Sequence, residues 1–398
     1  MTNLNAPPKG SNLAPEPYRL RLPGPTAVPE RVRQAIAEPV LAHRGAEFRA
    51  ILSEAESLLR PLFGSANKIM PFASTGTGMM EAALVNVLAP GERLLVVVNG
   101  QFGERFVAIG KALGAAVETL EVPWGDAVDP AEIAARLAQS DYHAVVLVHN
   151  ESSTGIVADL AAIGAVLKDR PTLLVVDSVS GLAGIEMRQD EWGVDVVVSA
   201  SQKALMCPPG IGLASVSQKA WQVVAREGGL PRFYWDFRKY RDAIEKAEMP
   251  FTAPVSLVRG LLEALRMIHE EGVGGVLSRH RRLGLALRAG CGAIGLPSFA
   301  ERGTASNTVS VCKVPEGIEG GAIVRRLYEK HRTVIAGARN KLAGKVIRIG
   351  TMGYLFDGDI LTDIIQLEDV LAELGHRFER GAGIAAAAAA LSANARAA

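Results

Sequence analysis

Two residues in this chain of 398 pair a reactive side chain with a telling position. Lys203, in Ser201-Gln202-Lys203, comes just after the apolar run VVVS (Val196–Ser199), and Asp177 follows TLLVV (Thr172–Val176). An amine becomes a nucleophile toward carbonyls once its environment holds it uncharged. A carboxylate ending a buried strand must be paired or face a cleft, because burying it bare is costly. Taken singly, each also fits a plain role: an exposed lysine, and a helix cap or turn former. Two polar segments stand in comparable places. STGTG (Ser74–Gly78) directly precedes a helical pattern, where free amides and the helix dipole favour an anion, although an ordinary N-cap explains it too. HNESSTG (His149–Gly155) follows AVVLV (Ala144–Val148) and suits either a ligand-facing loop or a Ser/Thr turn.

The conjunction narrows the chemistry. A phosphate cradle, a carboxylate and a lysine at successive strand ends meet the needs of pyridoxal 5′-phosphate: amides for the phosphate, an anion for the pyridine nitrogen, an amine for the aldehyde. A dinucleotide site would want G-x-G-x-x-G with an acid about 20 residues on, and a nucleotide loop would want G-x-x-x-x-G-K-[ST]; neither is in the sequence.

These residues need a scaffold, and the hydrophobic pattern supplies one. Leu94–Val98, Ala144–Val148, Thr172–Val176 and Val196–Ser199 read as strands buried on both faces. Helical patterns separate them: Met79–Leu88, Phe106–Leu113, Ala131–Ala138 and Leu160–Leu167. Strand and helix in alternation predict an α/β fold with a mainly parallel sheet covered on both sides, whose ligands collect beyond the carboxyl ends of the strands. A connecting helix is expected over Val255–His269, and a smaller α+β domain beyond it, with strands at Thr308–Cys312 and Lys345–Ile349. The predicted organisation is an arm without regular structure over 1–20, a large domain over 21–275, a small C-terminal domain over 276–382, and an Ala-rich tail over 383–398 lying outside the fold.

Composition excludes several classes. Lys and Arg number 43 against 42 Asp and Glu, a formal net charge of +1, which argues against a nucleic-acid partner. The densest basic stretch, Arg279–Arg288, is punctuated by Leu and Ala and reads as a solvated helix face. No apolar run approaches the roughly 18 residues that span a bilayer, and the first residues lack a secretory pattern, so no membrane partner and a cytoplasmic location are expected. Three cysteines, Cys207, Cys291 and Cys312, form no disulfide framework and no metal-type pair. Cys207 is expected to be a small buried hydrophobe.

From about Leu22 to Gly353 the chain resembles the class V aminotransferases of pyridoxal-phosphate fold type I, most nearly the alanine:glyoxylate and serine:glyoxylate (serine:pyruvate) enzymes. The resemblance is carried by PGPTAVP (Pro23–Pro29), STGTGMMEAALVNVLAPGE (Ser74–Glu92), NGQFGERF (Asn99–Phe106), ESSTG (Glu151–Gly155), DSVSG (Asp177–Gly181), SQKAL (Ser201–Leu205) with PPG (Pro208–Gly210), and KVIRIG (Lys345–Gly350). It implies a large domain with a mainly parallel seven-stranded sheet and a homodimer with shared active sites.

By that resemblance Lys203 is the Schiff-base lysine and proton carrier, and Asp177 the partner of the pyridinium nitrogen. Phe102 stacks on one face of the ring, Val179 packs beneath the other, and Ser152 lies near the phenolic oxygen. Thr77, Gly78 and Gln202 are similar to the family's phosphate contacts, and Thr252 to a residue reaching the neighbouring subunit's phosphate. Arg348 resembles the clamp for the substrate α-carboxylate, with Gly24 on the same substrate side. Arg44 lies in a segment that approaches the substrate mouth; pointing inward it would receive a second carboxylate and favour aspartate, pointing outward it would leave a pocket for alanine or serine. Plain alternatives are core packing for Phe102 and Val179 and a surface ion pair for Arg348. Met249 and Met79 stand where some members carry a tyrosine and a histidine.

The activity so implied is transfer of the amino group of alanine or serine to glyoxylate, in two half-reactions with ping-pong kinetics. The rival expectations are another donor (aspartate, ureidoglycine or an aminophosphonate), a cysteine desulfurase-like lyase, and a non-catalytic subunit that kept the fold.

Overall fold

A computed structural model describes residues 18–395. The chain enters through a two-residue strand β1 (Arg19–Leu20) and two helices, α1 (Glu30–Ala37) and α2 (Ala46–Phe63), then alternates as expected. Strand β2 (Ile69–Ser74) leads to α3 (Gly76–Val87), β3 (Arg93–Val98) to α4 (Gln101–Ala112), and β4 (Ala116–Glu121) to α5 (Pro130–Gln139). After β5 (Ala144–Val148) comes a small hairpin, β6 (Asn150–Glu151) and β7 (Ile156–Val157), then α6 (Leu160–Leu167), β8 (Leu173–Asp177), β9 (Val196–Ala200) and β10 (Gly210–Val216).

These strands build a seven-stranded sheet in the order β2-β10-β9-β8-β5-β3-β4. Only β10 runs against its neighbours; β4, β3, β5, β8 and β9 are parallel. The middle strands β5, β8 and β9 are buried along their whole length, because helices cover both faces and every side chain, up or down, meets a core. From β3 the chain steps outward to β4, then returns to the other side of β3 to make β5. That reversal opens a crevice beyond the carboxyl ends of β3 and β5. Register places Val148, Asp177 and Val198 side by side at the same level, so the loops after β5, β8 and β9 leave the sheet together.

Helices α7 (Gln218–Val224), α8 (Phe237–Ile244) and α9 (Val255–Glu271) follow, and α10 (Val273–Ala293) carries the chain into a second, smaller core. There, β11 (Thr304–Ala305) extends the β6–β7 hairpin, and β12 (Val309–Lys313) pairs with β15 (Val346–Gly350), which also pairs with β14 (Ala336–Gly337). Helix α11 (Gly320–His331) packs on this sheet, α12 (Asp357–Glu373) lies against α11 and α10, α13 (Ala382–Ala395) packs on α10 and α12, and β13 (Thr333–Val334) pairs in parallel with β1. Among the described residues no helix is long and apolar enough to cross a membrane.

Three expectations change. The Ala-rich segment from residue 383 is not a tail outside the fold: α13 packs into the second core, with Ala387 and Leu391 buried beside Leu287, Ile364 and Leu371. Its smallness is what permits this. Gly290 on α10 comes so close to the Gly383 carbonyl that a Cβ would lie 3.0 Å from it, and the buried Glu368 caps α13 by accepting from the amides of Gly381 (2.8 Å) and Gly383 (3.0 Å). Second, Arg279–Arg288 is not a solvated face. Arg279 is buried and donates to the carbonyls of Gly353 (2.8 Å) and Leu355 (3.1 Å) while pairing with Glu271 at 2.7 Å, and His280 is fully buried with Nε2 accepting from the Gly353 amide at 3.1 Å. Third, of the arm over 1–20, residues 1–17 lie outside the described residues, and Arg19–Leu20 are a strand rather than irregular chain.

The segment after β1 is tied down hard. The Arg21 amide donates to Val334 O at 2.9 Å, its carbonyl accepts from the Gly350 amide at 2.8 Å, and its buried guanidinium pairs through Nε with Asp363 of α12 at 2.7 Å. Asp363→Ala would strand a cation that is 2% exposed, a loss of about 3–5 kcal/mol expected as a lowered urea midpoint. The double change Arg21→Met with Asp363→Leu should recover most of it; a single variant as stable as the wild type would refute the pairing.

Candidate active site

The crevice at the chain reversal holds a cavity of about 240 Å³. It is smaller than the roughly 300 Å³ at which pockets for drug-sized molecules begin, the scale of one substituted ring. Its wall includes Thr77, Phe102, Ser152, Asp177, Val179, Gln202 and Lys203. Seven of the residues singled out from the sequence therefore meet in one place, although they span 126 positions of the chain.

Each arrives from a strand end. Asp177 is the last residue of β8 and is 3% exposed; its Oδ1 accepts from the Val179 amide at 2.7 Å, which pins Val179 over the cavity. Burial pushes the Asp177 carboxyl up to about 6, helped by the nearby Glu151 charge and opposed by the Val179 amide, Lys203 and Arg105. Lys203 sits in the turn between β9 and β10. Burial pushes its ammonium down to about 8, against the pull of Asp177 and with the help of Arg348 and Arg105. The two shifts have one origin, loss of water, and together they hold an amine with a sizeable neutral fraction near neutral pH beside a carboxylate that is charged there.

The N-terminal segment closes over the lysine. Lys203 Nζ donates to the Pro23 carbonyl, while the Thr26 hydroxyl donates to Lys203 O at 3.0 Å and the Thr26 amide to Gln202 O at 3.1 Å. Gly24 lies against the lysine stem, with a positive φ of 109° and no room for a side chain: a Cβ would stand 2.7 Å from Lys203 Cε.

At the other end α3 begins. Thr75 caps it, its hydroxyl oxygen accepting from the Gly78 amide at 3.3 Å, so the N-cap reading of STGTG holds, and the same turn lines the cavity through Thr75, Gly76 and Thr77. Gly78 itself is crowded by Trp235, whose ring would lie 3.0 Å from a Cβ there. Gln202 Oε1 is buried with no hydrogen-bond partner among the described residues.

Three sequence candidates lie elsewhere. Arg348, partly buried on β15, donates to Gly337 O at 3.0 Å and to Ser152 O at 3.4 Å, behind the Ser152 wall of the cavity. Arg44 is exposed and pairs with Glu248 at 3.5 Å. Thr252 is exposed, next to Phe251, which stacks on Tyr234.

Two residues escaped notice in the sequence. Glu151 is fully buried, and its carboxylate accepts from the amides of Phe102 (2.9 Å), Gly103 (3.2 Å) and Ser153 (3.0 Å), fixing the first turn of α4 and with it the Phe102 ring. Burial pushes its carboxyl up against those amides. Arg105 lines the cavity, its guanidinium 4.6 Å from the Phe102 ring centre and 2.9 Å from Thr77 Oγ1. The available signal was spacing: three positions after Phe102 on a helix, Arg105 must share its face.

The donor set suits pyridoxal 5′-phosphate: an amine for the carbonyl, a buried carboxylate for the ring nitrogen, an aromatic face, and a helix start with a threonine hydroxyl for the phosphate. A sequence profile of the family described as aminotransferase class-V matches residues 23–352. A protein of Anabaena cylindrica named soluble hydrogenase 42 kDa subunit is 40% identical over 374 residues, covering 93% of this chain and 97% of the relative. An L-aspartate–glyoxylate aminotransferase of Paracoccus denitrificans is 37% identical, over 92% of this chain and 94% of its own. The crystal structure of an alanine–glyoxylate aminotransferase from Nostoc sp. superposes with a TM-score of 0.86 at 33% identity, over 91% of this chain and 97% of that one.

The Asp177 shift carries a testable sign. A carboxyl raised from 3.8 to about 6 binds its proton more tightly folded than unfolded, so its cost is absent at low pH and grows as pH rises from about 4 to about 6. Asp177→Asn keeps the shape without the charge. The cofactor-free variant should be about 3 kcal/mol more stable than wild type at pH 7, with the difference vanishing below about pH 4, in denaturant titrations at both values. Equal stability at pH 7 would contradict the burial argument.

Proposed function

Since the chain belongs to the class-V aminotransferases, and is therefore a pyridoxal-phosphate-dependent transaminase, we propose that it moves the amino group of alanine or serine to glyoxylate, with Lys203 and Asp177 as its catalytic pair. The observation that carries this reading is the meeting of those two desolvated groups, at neighbouring strand ends, in one cavity of about 240 Å³. When bound, pyridoxal 5′-phosphate supplies a carbonyl that condenses with amines and a ring that draws electrons from the amino acid Cα.

The chain's own residues do the rest. Asp177, ionised above about pH 6, keeps a proton on the ring nitrogen. Lys203 Nζ, with its ammonium lowered to about 8, has a neutral fraction able to take a proton from the substrate Cα and return it elsewhere. Phe102, anchored by Glu151 through the α4 amides, supplies a flat wall, and Val179 another. Arg348 stands ready behind Ser152 with a planar fork for the substrate α-carboxylate. Gly24, pressed on the lysine stem, lets backbone approach the reacting atoms where a side chain would block them.

Donor size follows from charge. Arg44 points away from the cavity toward Glu248, which leaves the pocket suited to an amino acid with one carboxylate. Aspartate is the second reading, supported by the name of the Paracoccus relative. The active unit in this proposal is a homodimer in which Thr252, exposed and outside its own cavity, serves the neighbouring site.

A donor screen with glyoxylate as acceptor, comparing alanine, serine and aspartate by glycine formation, tests the substrate proposal; faster turnover with aspartate overturns it. Borohydride reduction of the cofactor-loaded chain followed by peptide mapping should place the label on Lys203. Lys203→Ala should retain the fold by circular dichroism and lose transamination by at least about a thousandfold; a label on any other lysine, or substantial residual turnover, removes the role assigned to this amine.

A further inference from the structure

Three ionisable side chains line the cavity among the described residues: Asp177, Lys203 and Arg105. The first two are matched by the ring nitrogen and the carbonyl of the cofactor, beside which the phenolic oxygen lies; that leaves the phosphate dianion at the far end of the cofactor and one ion on the protein. The phosphate contacts implied by family resemblance, Thr77, Gly78, Gln202 and Thr252, carry no charge. A phosphate dianion surrounded only by neutral donors in a desolvated crevice would be poorly compensated. Resting on the cofactor reading above, we infer that Arg105 is the cation that neutralises the phosphate, positioned for it by Thr77 and the Phe102 ring.

The placement is specific. Arg105 Nη1 donates to Thr77 Oγ1 at 2.9 Å, and Thr77 belongs to the first turn of α3, where backbone amides precede the helix's own hydrogen bonds. With an arginine filling one lone pair of that hydroxyl, its proton is left to donate to an anion on the cavity side, which Thr77 also lines. The guanidinium, 4.6 Å from the Phe102 ring centre, rests on the aromatic face, and no carboxylate among the described residues holds it in an ion pair of the kind that occupies Arg21 or Arg279. Arg348 and Arg44 do not compete for this place. Arg348 is bonded to the Gly337 and Ser152 carbonyls, and Arg44 is at the surface with Glu248.

The experiment compares two vitamers on the cofactor-stripped full chain: pyridoxal 5′-phosphate and pyridoxal, which shares the ring and carbonyl but has no phosphate. Equilibrium binding is followed by the absorbance change of the carbonyl, with no turnover involved. Arg105→Gln should weaken pyridoxal 5′-phosphate by roughly ten- to a hundredfold and leave pyridoxal within about twofold, while Arg105→Lys, which keeps the charge, should recover most of the loss. In the wild type, added salt should weaken the phosphorylated vitamer more steeply than the other. Parallel loss of both vitamers in Arg105→Gln would mean that Arg105 only props Phe102 and Thr77. Unchanged binding of the phosphorylated vitamer would refute the inference, and a rise confined to KM for aspartate would reassign Arg105 to a substrate carboxylate. A wild type that binds neither vitamer would instead sink the cofactor reading itself.

Discussion

An amine and a carboxylate held out of water within one crevice set the terms for the rest of this molecule. Desolvation moves Lys203 down and Asp177 up, so each sits nearer to the pH at which it can exchange a proton. Such a site is expensive to maintain, and the fold offsets the cost with a scaffold that cannot relax. Strands β5, β8 and β9 are buried end to end, and the Val148–Asp177–Val198 register leaves no freedom in where the carboxylate emerges. The stabilisation comes from apolar packing on both faces of the sheet, remote from the crevice whose groups work against it.

The second layer of control comes from buried charges that never face the cavity. Glu151 spends its carboxylate on the amides that start α4, which fixes the backbone that carries the Phe102 ring. Arg21 and Asp363 lock the entering segment to the smaller core, and Arg279 bonds the loop at Gly353–Leu355 to the helix that joins the two cores. Removing one member of such a set leaves an unpaired buried ion, which explains why these residues hold geometry more tightly than an equal number of surface pairs would.

Much of this was readable in the chain. β-branched runs placed β3, β5, β8 and β9 to within a residue or two, since a strand covered on both faces has no choice but to be apolar throughout, whereas β2 and the half-exposed edge strand β4 went unread. Lys203 and Asp177 were visible because reactive groups at strand ends are conspicuous in such a pattern. Arg105 and Glu151 were not, though both lay inside quoted motifs: their importance comes from what the fold brings opposite them, Thr77 for one and the α4 amides for the other. The α13 helix was misjudged for a related reason. An alanine run offers little area of its own, yet it fits where a glycine on the facing helix lets two backbones come close. The basic run in α10 was misread because arginines can turn inward when carbonyls await them, and those carbonyls are some 70 residues away in sequence.

The strap from Arg19 to Thr26 joins what lies furthest apart along the polypeptide. Arg21 finds Asp363 across 342 positions, and β1 pairs with β13, so ordering the strap requires contacts of very large sequence separation. Its grip is divided: Pro23 and Thr26 bond to Lys203 and Gln202 beside the large sheet, while Arg21 bonds to Val334, Gly350 and Asp363 of the smaller core. The backbone over the amine is in this sense a bridge between the two cores: a shift of α12 and Asp363 against the large sheet is passed through Arg21 to Pro23 and Gly24, and so to the reactive lysine itself.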